Sequence, residues 1–405
     1  MIRPFAALLA AVFGFAAPAA AQDKDDPLDR TTYKLTTTPA PAPGLHTEFR
    51  VRATDRLPGN AALDYYRAAG LLPEWPREPQ QGEKLRADQD RWLDAKPDEF
   101  PDTEVTAYLK QFDAGFVALD AAARREAVDW RQGVKLEQDG LGGFLREIQK
   151  FREVASLNRL RIRRDLARNE FDDAALALRS GFGLGKAVGE GPVTIQMLVG
   201  IAICSVTWGD AVQFVGRPGS PNLYWALASL PRPLIDPRPA LEGEEEFMER
   251  GLRAQVAYPK ETADVCRAIW NDQRRAFMLP YPRATAELDK VTTRAEELKK
   301  ARNEPAVTLF ALSVPAVRKC YYAVARLDRS MAGLLAVEAV RVHAAGAKGT
   351  PPASLADITA VPVPPDPYTG RPFDYTARAD GFTLTAPVLD DIPGNGFRIV
   401  VTFRR

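Results

Sequence analysis

From Asn60 almost to the end of the chain, apolar residues recur at spacings of three and four; at Pro364 that period stops. A period near 3.6 buries one stripe of a helix, whereas a period of two buries one face of a strand. The chain must therefore be helical over most of its length and change character near its end. Asn60 is placed to cap a helix carrying Leu63, Tyr66 and Ala69. Further helical runs are expected over 103–129 (Val105, Tyr108, Leu109, Phe112, Phe116), over 143–166 and over 171–188. Asn169 is suited to end the second of these three, and Phe171 and Ala174 to pack the turn into the third. No regular repeat of about 34 residues is present, so the expected fold is mainly α. It is read as an irregular array of helical hairpins, tetratricopeptide-like in part. A long final helix after Pro305 leads to a small C-terminal antiparallel β element built from FDY, FTLT and FRIVVTF.

The N-terminus reads as a secretory signal. Arg3 precedes a short apolar run, Ala19 to Ala21 offer a small-residue cleavage site, and Asp23 to Asp26 follow. The expected organisation is a signal peptide over 1–21, a disordered leader over 22–57 and a helical body over 58–305. A long helix over 306–347 and a Pro-rich joint with the β element over 348–405 complete it. The expected location is exported, periplasmic or extracytoplasmic, with no stable transmembrane span after cleavage. The apolar run PVTIQMLVGIAICSVTW is interrupted by Gln196 and Ser205, and a buried central helix is the reading it supports. With 54 basic against 53 acidic residues, nothing in the charge points to nucleic acid. Three cysteines do not make a disulfide framework; if one bridge forms, Cys266 with Cys320 is the pairing expected.

Motifs for chemistry are weak. SGFGLGKAVGEG departs from a phosphate loop, because Ser180 stands where the first Gly belongs and Ala187 follows Lys186. Gly181, Gly183 and Gly185 read instead as a face for close helix packing. Glu242, Glu245 and Glu249 share a helix face, as do Arg161, Arg164 and Arg168; solvated charge is the simpler account of both. Only His46 and His343 exist, which leaves little room for histidine-based zinc or nucleophile chemistry. Trp208, Tyr224, Trp225 and Trp270 could stack on sugars beside a carboxylate pair, or serve as core anchors. Asp390, Asp391 and Asn395 are the candidate calcium ligands, in a loop that otherwise reads as a tight turn. No catalytic residue and no other cofactor site is assigned.

Several stretches carry a resemblance: NAALDYY, FDDAALALRSGFGLGKAV, PNLYWALASLPRPLID, and LDRSMAGLLAVEAVRVHAA leading to PPDPYTGRPFDY. Together they resemble a group of exported bacterial proteins common in planctomycetes, and the resemblance implies a domain arrangement without an activity. The last motif also resembles the globular tail of type II secretion pseudopilins, through Asp366, Pro367, Gly370, Pro372, Phe373 and Tyr375. That likeness implies a helix, a loop and a sheet in this order, and in some such proteins a calcium-binding loop. The chain lacks a pilin methylation signal and membrane helix, so a filament subunit is not expected. In PPDPYTGRPFDY the prolines should stop the helix, Asp366 should bond the turn, and Gly370 should take a conformation other residues disfavour. The function expected is that of an exported, non-enzymatic helical scaffold or binding protein, its partner an envelope protein or peptide. The alternatives are a carbohydrate-active hydrolase with paired carboxylates and an envelope-assembly factor related to pseudopilins.

Overall fold

A computed structural model describes residues 28, 31–44, 48–130, 132–389 and 396–404, with side chains of 132–145, 251, 254 and 255 left aside. In chain order the elements are β1 (Thr32–Thr37), β2 (Leu57–Asn60), α1 (Ala61–Gly70), α2 (Pro79–Asp94), α3 (Asp102–Leu109) and α4 (Asp113–Ala122). Next come β3 (Arg125–Ala127), α5 (Gln132–Ala167), α6 (Phe171–Gly189), α7 (Thr194–Gly216), α8 (Tyr224–Ala228) and α9 (Arg238–Gln255). The chain closes with α10 (Lys260–Phe277), α11 (Tyr281–Ala301), α12 (Pro305–Gly346), β4 (Asp374–Arg378), β5 (Gly381–Ala386) and β6 (Phe397–Phe403). The protein is mainly α with a small C-terminal antiparallel strand group.

Local chemistry accounts for the helix ends. The Asn60 side chain accepts the Ala62 N–H at 3.0 Å and so caps α1. Asn169 takes φ +58° between α5 and α6, the left-handed turn that Asn tolerates. The run over 103–129 is not one helix: a 3-10 turn at Lys110–Phe112 separates α3 from α4, and β3 follows. β3 pairs in parallel with β2, which pulls the end of that run out of helix.

The helix α7 is largely apolar and lies in the core, where Met197, Cys204, Ala211, Phe214 and Val215 are buried. It crosses α6 at very short range. A Cβ added at Gly200 would lie 2.3 Å from the Gly189 Cα and 2.5 Å from the Gly185 carbonyl oxygen. The Gly-rich stretch is thus a helix-packing face, inside a helix and not in a phosphate loop.

The sheet corrects the expectation of a disordered leader. Its strand order is β1-β6-β5-β4, and β1 lies parallel to β6, Tyr33 opposite Ile399 and Thr37 opposite Phe403. The physical reason is alternation in TYKLTT: Leu35 and Thr37 turn inward and are buried. The Thr37 hydroxyl donates to the Val215 carbonyl at 2.6 Å, which ties this strand to the end of α7. On the same inner face Phe382, Leu384, Ile399 and Val401 share one core with Leu334, Leu335, Val337 and Val340 of α12. The first half of α12 belongs to another core with Trp270, Leu288 and Phe310. One helix therefore joins the helical body to the sheet.

Candidate functional site

The motif PPDPYTGRPFDY forms the joint between α12 and the sheet. Asp366 is buried and accepts two hydrogen bonds from Arg329 Nε (3.0 and 3.1 Å) and one from Nη2 (2.6 Å). Arg329, on α12, is itself 0% exposed; its Nη1 donates to the Pro387 carbonyl and its guanidinium lies over the Tyr368 ring at 5.0 Å. Asp366 Oδ1 also accepts the Tyr368 N–H at 3.0 Å, and the Asp366 carbonyl accepts the Gly370 N–H at 2.8 Å. Gly370 takes φ +68°, as a tight turn of this kind requires. Phe373 packs on Phe397 and Tyr375 on Phe382, both toward the inner face, while Pro372 is exposed beside them. Asp366, Pro367 and Gly370 thus build the turn. On its flank the Tyr281 hydroxyl donates to Asp328, whose carboxyl burial pushes above its ordinary range.

PNLYWAL is a second anchor. Asn222 Oδ1 accepts the Tyr224 N–H (2.8 Å), while its amide donates to the carbonyls of Glu338 (3.0 Å) and Ala40 (3.3 Å). Tyr224 donates its hydroxyl to the Pro362 carbonyl at 2.6 Å. Glu338 and Arg341 form a fully buried pair, two bonds of 3.0 Å, and Arg341 goes on to the carbonyls of Ser220 (3.0 Å) and Thr38 (3.1 Å). This network pins α12, the stretch after β1 and the segment leading into the joint to one another.

The remaining candidates resolve into structure. Glu242 and Glu245 bind Arg274 at 2.9 and 3.1 Å, and Glu249 binds Arg253 and Arg267, so that acidic face is neutralised. Arg161 meets Asp120, Arg164 meets the buried Asp165 and Arg168 meets Asp102, while Arg159 and Arg163 share the buried Asp210, which removes the basic patch. Among the described residues no group of three or more His, Cys, Asp or Glu could hold a metal. Asp390, Asp391 and Asn395, like His46 and the signal segment, lie outside the described residues. His343 is half-buried near the end of α12. Trp208, Tyr224 and Trp270 are core residues and Trp225 is half-buried; the recess that Trp270 lines with Glu245 and Glu249 is only about 20 Å³, too small for a sugar ring.

The expected bridge is absent. Cys266 and Cys320 are both free and buried, because Cys266 packs in the core of α10–α12 while Cys320 packs in the central core. Burial pushes the Cys266 thiol up to about 11 and that of Cys320 up to about 12. Cys204 is buried and free as well.

A larger concave feature lies along the edge of the sheet at β4. The segment after α12 folds back beneath this strand and leaves two recesses that share Ala353. The first, about 620 Å³, is lined among others by Leu355, Ile358, Val363, Pro365, Phe373 and Tyr375. The second, about 670 Å³, is lined by Pro39, Lys348, Pro351, Ala377, Arg378 and Arg404 with their neighbours. The Tyr375 hydroxyl reaches the opposite wall, donating to the Pro352 carbonyl at 2.9 Å. β4 pairs with β5 on one side only. A two-residue turn at Ala379 and Asp380 makes Arg378 and Gly381 the bonded pair, so Tyr375 and Ala377 direct N–H and C=O outward. Among the described residues nothing pairs with that outer edge. The alternation of strand residues was visible in the sequence; the groove beneath them was not, because it depends on how 348–364 folds back.

No family model, no curated protein and no solved structure matches the chain.

Proposed function

We propose that this is a non-enzymatic binding protein of the cell envelope that holds an extended polypeptide segment by strand addition to β4. The observation that carries this reading is the open outer edge of β4 running above two recesses on the sheet's inner side. An added strand would satisfy the outward N–H and C=O groups of Tyr375 and Ala377, and every second side chain would point into a recess. The buried Arg329–Asp366 pair fixes the joint beside Pro365 to α12, and Arg341 holds the Thr38 carbonyl beside Pro39, so the groove is braced next to both recesses and little ordering is required on binding. A long helical body then serves as the scaffold that presents this edge. The buried positions of Trp208, Tyr224 and Trp270 leave the hydrolase alternative without its sugar platform.

Random decapeptides displayed on phage provide the test. Peptides enriched on the wild-type protein should lose at least about tenfold in affinity for Ala377→Pro, which removes an outward donor and blocks a ladder. Ala377 is exposed on an edge strand, so the melting temperature should stay unchanged. Failure to enrich any peptide, or equal affinity for Ala377→Pro, would overturn the proposal.

A further inference from the structure

We infer that the segment taken up along β4 carries a carboxylate, seated in the recess between Lys348, Arg378 and Arg404; this rests on the strand-addition reading. The two recesses differ in chemistry. Beneath Phe373 and Tyr375 the wall is mainly proline and aliphatic, apart from Asp374 and Ser354, whereas the recess beyond Ala377 has three cations and no acid in its lining.

Each cation is placed by the backbone. Lys348 follows the last turn of α12 with φ +53°, and the Gly349 N–H donates back to the Ala344 carbonyl at 2.8 Å. That bond satisfies a helix-end carbonyl, so Lys348 is left to face the recess rather than to cap the helix. Arg404 follows β6, its N–H bonded to the Thr37 carbonyl at 2.8 Å in continuation of the β1–β6 pairing. Arg378 donates through Nη2 to the Val401 carbonyl at 2.9 Å, and its Nε is buried with no hydrogen-bond partner.

The counter-charges nearby are few. Asp380 lies 3.8 Å from Arg378 Nε, beyond hydrogen-bond reach, and its side chain is 60% exposed. Asp98, which Arg404 influences from a distance, is bonded to Arg217 at 2.5 Å. Among the described residues neither Lys348 nor Arg404 forms a salt bridge. Three cations around a recess with no acid in its lining form a site for an anion, and a guanidinium matches a carboxylate in shape and charge. Strand geometry adds a spacing. The apolar recess sits at Phe373–Tyr375 and the basic one at Ala377–Ala379, so the carboxylate should fall about four residues from the apolar side chain.

An acidic side chain and a free C-terminus supply the same group, and the test separates them. One enriched decapeptide is remade with its Asp and Glu replaced by Asn and Gln, and separately with an amidated C-terminus. Binding of all three is measured against wild type, Ala377→Pro and the double variant Lys348→Gln/Arg404→Gln. The double variant should weaken the original peptide about tenfold and flatten the salt dependence of its affinity. One of the two neutralised peptides should show the same loss on wild type, which identifies the source of the carboxylate. If Ala377→Pro abolishes binding while the double variant and both neutralised peptides bind as before, strand addition stands and the carboxylate inference falls. If Ala377→Pro binds normally, the reading beneath it falls too.

Discussion

Arg329→Met should destabilise the protein by about 3–5 kcal/mol, read as a lower urea midpoint and a lower melting temperature. The reason is what is left behind. Asp366 is 1% exposed and would lose three hydrogen bonds and the cation it pairs with, while the carbonyl of Pro387 would lose a donor. A stranded buried carboxylate costs far more than the net worth of the pair, which desolvation largely offsets. Arg329→Met/Asp366→Asn should therefore recover much of the loss, because Asn is neutral and still accepts the Tyr368 N–H. Should the single variant lie within about 1 kcal/mol of wild type, the joint would not depend on this pair.

Gly200→Ala is expected to destabilise by about 1–3 kcal/mol, against the direction of helix propensity. In an exposed helix the same change gains up to about 1 kcal/mol. Here the new methyl would meet backbone on the facing helix, at 2.3 Å from the Gly189 Cα, and backbone cannot step aside as a flexible side chain does. Gly209 in the same helix has nothing within 4 Å, so Gly209→Ala should be neutral or stabilising. Thermal unfolding of both variants separates packing from propensity. A stabilising Gly200→Ala would show that α6 and α7 do not cross in contact.

Both sites were partly legible in the sequence. Glycines spaced along an apolar helix announce close packing, though not which partner they admit; Gly200 on α7 supplied that partner. Asp366 and Gly370 were legible as a turn, because Pro, Asp and Gly each restrict the backbone in a known way. Arg329 was not singled out, although an arginine just ahead of the apolar run MAGLLAV was a signal of a buried partner. The largest miss was β1. Its alternation in TYKLTT is short and sits beside TTTPAPAPG, and its partner β6 lies at the far end of the chain. Local pattern says that a segment can be a strand; it does not say which distant edge will accept it. The cysteine pairing failed for a related reason, since helical patterning around Cys266 and Cys320 carried no information that they pack into different cores. The groove was hidden because its floor is the fold-back of 348–364, held by Tyr224 and Tyr375 through carbonyls of Pro362 and Pro352.

Strand addition makes a specific demand on backbone amides. In amide hydrogen exchange with and without a bound decapeptide, the outward N–H groups of Tyr375 and Ala377 should become strongly protected. Exchange in α7 and in β5, already paired, should change little. Protection confined to other segments, with β4 exchanging as fast as before, would contradict the binding mode.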